Sequence, residues 1–186
     1  MSLDLAGAIR RRKPERRQAP LIPRPADDLT SVADLPRRSR VALVPDTNVY
    51  IYNAAGRLPP EVESLLDTAL LFHSTICLAE LAVGIASADP SGSEWTQVRD
   101  YYVELFAAVP DTRLLTPDAQ TWAEAGVIAG TLSRVQGYQP YQRKECLNDA
   151  LTFLTAARAG LPVLTQNRAD FDLIQQLAPE GRFLHF

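Results

Sequence analysis

The sequence predicts an α/β fold with a mainly parallel central sheet. Residues 41–44 and 161–165 are short apolar runs that have the length and composition of fully buried strands. Between them, apolar residues recur at helical spacing, so strands and helices alternate along the chain. This alternation is typical of a parallel sheet with helices on both faces. The length of 186 residues suits one domain with a substantial core.

The elements follow from local patterns and from the residues that start or stop a helix. In chain order they are strand 41–44, helices 49–55 and 60–70, strand 71–75, helices 76–87 and 93–108, strand 113–115, helices 117–135 and 145–159, strand 161–165, helix 171–177 and edge strand 182–185. Pro117 suits a first helical turn, whereas Gly137 and Gly160 lie just beyond helix ends.

The first 40 residues differ from the rest of the chain in charge. Residues 1–40 contain ten Arg or Lys and five acids, a balance of +5, whereas residues 41–186 contain nine and seventeen, a balance of −8. We therefore expect a flexible, basic, Pro-containing arm outside the core, with a short helix over residues 3–9, and a domain over residues 41–186. The arm could bind nucleic-acid phosphates, contact a partner protein or remain a solvated tail.

Several classes of protein are excluded by composition. No apolar run approaches the roughly 18 residues of a membrane-spanning helix, and no apolar stretch of a secretory signal follows the first basic residues. Cys77 and Cys146 lack the spacing of a zinc site or of a disulfide framework. We expect a soluble protein of a bacterial or archaeal cytoplasm, without membrane contact and with reduced, buried thiols.

Four acidic residues stand where acids are uncommon. Asp46 and Asp170 follow predicted buried strands, although either could simply cap the next helix. Glu80 and Asp149 are each the one charged residue in an apolar helical stretch. A buried acid is rare unless it is paired or binds a metal. Alternatively, Glu80 lies on a narrow, exposed polar strip of its helix, and Asp149 caps the start of its helix.

Convergence of these acids at one end of the sheet would require a compensating charge. Two carboxylates about 5 Å apart repel by about 3 kcal/mol at an effective dielectric near 20. Either their pKa values rise or a divalent cation neutralises them. Oxygen ligands without His or Cys favour Mg²⁺, with Mn²⁺ as an alternative, and such sites commonly perform phosphate chemistry.

Four segments in this order resemble the PIN-domain nucleases, and most closely their VapC-type toxin members. The segments are VALVPDTN (41–48), STICLAELAVG (74–84), NDALTFLTAA (148–157) and LTQNRADF (164–171). The resemblance covers roughly residues 41–177. It implies a PIN-like three-layer α/β/α sandwich, a homodimer, Mg²⁺ or Mn²⁺ dependence and endoribonuclease activity. For toxin members it also implies an RNA substrate and a cognate antitoxin protein.

The resemblance also assigns roles to residues of this chain. Asp46, Glu80, Asp149 and Asp170 match the acidic quartet that is both catalytic and metal-binding. Asn48, Thr165 and Asn167 match polar residues that position ligands and substrate. The implied reaction is hydrolysis of RNA phosphodiesters by a metal-activated water, leaving 5′-phosphate and 3′-hydroxyl ends. The 40-residue arm departs from the family pattern, because such toxins start almost at the first strand.

Other interpretations remain open or are excluded. Arg143, Lys144 and Arg168 could contact phosphates, or they could be exposed helix-end cations. The main alternative to a nuclease is a catalytically weak PIN-like module that binds RNA or protein through its arm. A haloacid-dehalogenase site would need a second Asp at position 48, and a dinucleotide site would need a glycine-rich loop that is absent. The sequence does not identify the RNA.

Overall fold

A computed structural model describes residues 3–36 and 41–186. The rest of the predicted arm, residues 1–2 and 37–40, lies outside the described residues. The elements are α1 (Leu5–Arg12), β1 (Ala42–Pro45), α2 (Thr47–Ala54), α3 (Pro60–Thr68), β2 (Leu70–Leu71), β3 (His73–Ser74), α4 (Thr75–Ser87), α5 (Trp95–Ala108), β4 (Leu114–Leu115), α6 (Ala119–Gln136), α7 (Pro140–Arg158), β5 (Pro162–Thr165), α8 (Arg168–Leu177) and β6 (Arg182–His185). Within these ranges, no helix is long and apolar enough to cross a membrane.

The central sheet has the strand order β2-β1-β5-β6, and each of these neighbours pairs in parallel. A second, two-stranded sheet joins β3 to β4, also in parallel. The predicted α/β fold with a mainly parallel sheet is therefore confirmed. Because β1 lies between β2 and β5, its carboxyl end is at the middle of the sheet, where helices from both faces approach.

Along β1, β5 and β6 the apolar side chains alternate between the two faces of the sheet, which creates two cores. Leu43, Leu164 and Leu184 pack into one cluster with residues of α2 and α3. The neighbouring positions Val44, Val163 and Phe183 pack into another cluster with α6, α7 and α8. Successive side chains of a strand point to opposite faces, so the sheet is covered on both sides.

Three helices begin clearly earlier than the sequence analysis expected, and one of them is α8, which begins at Arg168 rather than at residue 171. α7 begins at Pro140 rather than near residue 145, because Pro140 occupies its first turn and Gln139 forms a capping box with Gln142. α2 begins at Thr47, since the Asp46 side chain accepts a hydrogen bond from the Thr47 N–H. Asp149 consequently lies in the middle of α7 and does not cap it.

The strand predicted over residues 71–75 is two short strands with different partners. β2 pairs with β1, with Leu71 opposite Leu43, whereas His73 of β3 pairs with Leu114 of β4. Ser74 then caps α4, because its hydroxyl accepts a hydrogen bond from the Ile76 N–H. The apolar run alone could not show that the chain changes sheets at residue 72.

The described part of the arm packs on the domain, so the expectation of an arm outside the core is corrected. Arg12 and Glu124 form a buried ion pair at 2.6 Å, and Arg12 also reaches Glu180 at 2.5 Å. Arg11 binds the other carboxylate oxygen of Glu124 at 2.6 Å. These contacts fix α1 against α6 and the loop that precedes β6.

Further along the arm, a second buried acid holds the extended chain. The Asp172 side chain is 0% exposed and accepts hydrogen bonds from the backbone N–H and the Nε of Arg24, at 2.7 and 2.6 Å. Leu29 and Val32 then enter the two cores, and Ser31 forms a parallel bridge with His185 of β6. The charge balance of the arm does not reveal this packing, because the acids that pair with its arginines lie more than 100 residues away in the sequence.

We predict that Asp172→Asn lowers the free energy of unfolding by about 2–3 kcal/mol, because the arginine and a backbone N–H lose a buried anionic acceptor. Urea unfolding of wild type and variant measures the difference. Asp28→Asn, which changes an exposed acid of the same arm, is the matched control and should have little effect. Equal stability of Asp172→Asn and wild type would contradict a structural role for this contact.

Candidate functional site

Asp46 is fixed at the carboxyl end of β1. Its backbone N–H donates to the Leu164 carbonyl at 2.9 Å, which continues the β1–β5 pairing beyond Pro45. The carboxylate is 5% exposed and accepts hydrogen bonds from the Thr47 N–H at 2.7 Å and from the Thr165 hydroxyl at 2.8 Å. The Asn48 amide donates to it at 2.5 Å. Asp46 therefore caps α2 and also presents an anion at the centre of the sheet edge.

Glu80 reaches the same region from α4. The Thr47 hydroxyl donates to one of its carboxylate oxygens at 2.5 Å, and the Asn148 amide donates to the other at 2.6 Å. The residue is partly buried rather than lying on an exposed polar strip. Thr47 thus links Asp46 to Glu80, since its backbone donates to one acid and its hydroxyl to the other.

Asp149 and Asp170 are joined by Asn167. The Asn167 amide donates to Asp170 at 2.9 Å and lies 3.4 Å from Asp149. Its backbone N–H donates to the Thr165 hydroxyl at 2.9 Å, which connects this pair to Asp46. The structure therefore brings all four predicted acids into one hydrogen-bonded group, together with the predicted positioning residues Asn48, Thr165 and Asn167.

The acids interact electrostatically as well as through shared donors. The pKa of Asp46 is raised to about 6, mainly by burial and in smaller part by the neighbouring Glu80 charge, while three hydrogen bonds oppose the rise. Burial also raises the pKa of Asp149 well above its usual range, with added repulsion from Asp46, Asp170 and Glu80. Neutral amides and hydroxyls separate the carboxylates without offsetting their charge.

Three residues of the site were not identified from the sequence. Thr47 and Asn148 both donate to Glu80, and each is adjacent in the chain to a predicted acid, which was the available signal. Tyr138 follows α6, and burial raises the pKa of its hydroxyl, with the nearby charge of Asp170 adding to the effect. The sequence did not predict that Tyr138 lies near Asp170, because this position depends on the conformation of the turn between α6 and α7.

The three cations proposed for phosphate contacts are placed differently. Arg168 is exposed at the start of α8 and lines a polar surface pocket with Gln166 and Asn167. Arg143 donates through Nε to the Tyr138 carbonyl at 3.2 Å and faces the groove between α6 and α7. Lys144 is exposed on α7. Arg168 therefore lies beside Asn167, which contacts two of the acids, whereas Arg143 faces the groove between α6 and α7.

Both cysteines are buried beside the acids, as the sequence predicted. Burial raises the pKa of Cys77 and of Cys146 to about 12, with the nearby carboxylate charges adding to the effect. A thiol with a raised pKa is a poor nucleophile at neutral pH. Cys77 and Cys146 therefore pack the site and do not supply its chemistry.

No metal cage is preformed in the described part of the chain. Among residues 3–36 and 41–186, no three His, Cys, Asp or Glu side chains are arranged to hold one ion. The donors that are present are carboxylate, amide and hydroxyl oxygens, the ligands preferred by Mg²⁺ and Mn²⁺. The donor chemistry fits such an ion, but the carboxylates would have to move toward one another to bind it.

An open apolar groove adjoins the acidic group. It has a volume of about 520 Å³ between α2, α4 and α5, and Glu80 lies at its edge. Its walls include Ile51, Ile85 and Val98, two of which belong to the exposed large apolar residues of the surface. An exposed apolar surface of this kind is typical of an interaction site.

Solved structures with the same fold include a member of the VapBC family of toxin–antitoxin systems. FitAcB from Neisseria gonorrhoeae shows 20% identity and a TM-score of 0.55, covering 77% of this chain and 96% of the other. VapBC2 from Rickettsia felis, bound to a promoter DNA fragment, shows 17% identity, a TM-score of 0.52 and coverages of 78% and 98%. VapBC-5 from Mycobacterium tuberculosis shows 23% identity, a TM-score of 0.51 and coverages of 78% and 98%.

These likenesses confirm the predicted PIN-like α/β fold. No family model matches the sequence, and no curated protein matches it. At identities below 25%, the comparison extends to the fold and leaves the activity to be argued from the site.

We predict that Asp149→Asn raises the free energy of unfolding at pH 8 in EDTA by about 1 kcal/mol or more, because one of several repelling carboxylates is removed. The folded pKa of Asp149 is raised, so its contribution to stability is present below about pH 4 and is lost as pH rises through the folded pKa. The advantage of the variant should therefore shrink between pH 8 and pH 5. Urea unfolding at both pH values measures it, with the exposed Asp111→Asn as control.

A variant that is less stable than wild type at pH 8, and more nearly equal at pH 5, would show that Asp149 is stabilised as an anion. That result would contradict the repulsion among these acids.

Proposed function

We propose that this protein is a metal-dependent endoribonuclease and the toxin of a toxin–antitoxin pair. The observation that carries the proposal is the convergence of Asp46, Glu80, Asp149 and Asp170 at the carboxyl end of a parallel sheet. Such an edge is where sites form in α/β folds. The pKa values of Asp46 and Asp149 are raised, and a divalent cation bound between the acids would favour their charged forms at neutral pH.

The proposed metal is Mg²⁺, with Mn²⁺ as the alternative, and the four carboxylates would hold it. When bound, such an ion supplies activation of water and stabilisation of charge on a phosphoryl group. Asn48, Thr165 and Asn167 fix the directions of Asp46, Asp149 and Asp170 through the hydrogen bonds described above. Arg168, exposed beside Asn167, would bind a backbone phosphate of the RNA.

The proposed partners are a cognate antitoxin and a second copy of the chain. The solved structures with this fold include a member of the VapBC family of toxin–antitoxin systems and a VapBC2 that is bound to a DNA fragment. The apolar groove beside Glu80 offers a surface for a protein that would cover the acids. A cytoplasmic location remains the expectation for a protein that acts on cellular RNA.

A second candidate is a PIN-like module that binds RNA or protein with little catalysis. The absence of a preformed metal group among the described residues favours it. Binding of RNA or protein through the basic arm is not supported, because Arg11, Arg12 and Arg24 pair with acids of the domain. Calorimetric titration with Mg²⁺ separates the two candidates, since the nuclease requires binding that is weakened in Asp149→Asn.

We predict that purified protein cleaves total cellular RNA into discrete fragments with Mg²⁺ or Mn²⁺ and that EDTA abolishes cleavage. Asp46→Asn and Glu80→Gln should each reduce the rate at least about 100-fold, because each removes an anionic ligand. Asp111→Asn is the control for loss of an acid elsewhere. Sequencing of the fragment ends should find 5′-phosphates and 3′-hydroxyls.

A metal-loaded, folded protein that leaves RNA intact after removal of any bound antitoxin would contradict the nuclease. Cyclic phosphate ends would contradict the proposed hydrolysis by water.

A further inference from the structure

Part of the N-terminal arm lies along α8, the helix that carries Asp170. The Gln176 amide of α8 donates to the Ile22 carbonyl at 3.0 Å. Arg24 follows in the arm and pairs with Asp172, whose side chain is 0% exposed. The arm therefore contacts this helix close to one of the four acids, although no residue of the arm belongs to the acidic group itself.

The first turn of α8 is weakly held at its own end. Asn167 occupies the position before the helix, but its side chain makes no capping hydrogen bond. Its amide donates instead to the Asp170 carboxylate at 2.9 Å. The first N–H groups of a helix have no partners within the helix, and helix ends fray. The position of Asp170 therefore depends on contacts that are made further along α8.

The pair of Asp172 and Arg24 is such a contact. Asp172 follows Asp170 by two residues, which is a rotation of about 200° around the helix, so the two carboxylates point to opposite sides. Asp172 accepts hydrogen bonds from the backbone N–H and the Nε of Arg24, at 2.7 and 2.6 Å, and from the Gln176 amide at 3.0 Å. Charge-assisted hydrogen bonds to a buried carboxylate are strong and directional. They limit rotation of α8 about its axis.

We propose that Arg24 is a positioning residue for Asp170. By holding Asp172 on one side of α8, it sets the rotation at which Asp170 faces Asn167 on the other side. With α8 held, the Asp170 side chain reaches a cation by rotating about its own bonds, whereas a loose first turn would have to become ordered at the same time. The proposal rests on the proposed function, because Asp170 is one of the four carboxylates that would hold the metal.

Arg11 offers a matched comparison within the same arm. It also forms an ion pair with the domain, to Glu124 at 2.6 Å, and its side chain is 49% exposed against 40% for Arg24. Its partner lies on α6 rather than on α8. A general loss of stability would affect Arg11→Ala and Arg24→Ala alike, whereas a loss of positioning would affect Arg24→Ala alone.

The first test is calorimetric titration of the full chain with Mn²⁺ in the absence of RNA. Arg24→Ala should bind Mn²⁺ about tenfold or more weakly than wild type, the loss typical of removing a residue that orients a metal ligand. Arg11→Ala should stay within about twofold of wild type. Guanidinium ion, which can take the place of the missing side chain, should restore the affinity of Arg24→Ala toward the wild-type value and leave Arg11→Ala unchanged.

The second test is amide hydrogen exchange in EDTA, which requires no metal. At the start of α8, the Arg168 N–H donates to the Gln166 carbonyl at 2.8 Å and the Phe171 N–H donates to the Asn167 carbonyl at 3.2 Å. Both amides should exchange at least about tenfold faster in Arg24→Ala than in wild type, because the first turn opens more often. In Arg11→Ala they should exchange as in wild type.

Equal Mn²⁺ affinities and equal exchange rates in Arg24→Ala and Arg11→Ala would overturn the proposal. If wild type binds no Mn²⁺, the metal site of the proposed function is overturned, and the exchange rates alone decide whether Arg24 holds the start of α8. A protein that binds Mn²⁺ but leaves RNA intact would overturn the nuclease and would leave the role of Arg24 to these two measurements.

Discussion

The parallel pairing of β1 with β5 is the constraint on which the site depends. The hydrogen bond from the Asp46 N–H to the Leu164 carbonyl carries this pairing one residue past β1. It brings Asp46 beside Thr165, and the Thr165 hydroxyl then receives the Asn167 N–H. A slip of one residue would turn Leu43 and Val44 toward the wrong cores and would separate Asp46 from its partners. The same register therefore positions both the core and the acids.

The four acids are held by neutral hydrogen-bond donors. Thr47, Asn148 and Asn167 each donate to a carboxylate, and Thr47 and Asn167 each contact two of the acids. Burial, with added repulsion from neighbouring acids, still raises the pKa values of Asp46 and Asp149. In the described part of the chain no arginine or lysine forms an ion pair with these four acids, so the hydrogen bonds fix their positions without offsetting their charge.

Local patterns predicted the strands and acids of the site because these features depend on neighbouring residues. Glu80 and Asp149 were recognisable as single charges within apolar helices, and Asp46 as the residue after a buried strand. The contacts of the arm were not predictable in this way. The residues that flank Arg12 and Arg24 in the sequence are typical of an exposed segment, and the partners Glu124 and Asp172 come close only in the folded chain. Tyr138 was missed for the same reason, because its position near Asp170 depends on the turn before α7.

The docking of the arm has a consequence for the order of folding. Its contacts join Arg12 to Glu180, Arg24 to Asp172 and Ser31 to His185, so segments about 150 residues apart in the sequence bind each other. The arm has these partners only once α8 and β6 have been synthesised. Contacts this distant in sequence slow folding, because the loop between them must close before they form. Docking of the arm is therefore expected to be a late step in folding.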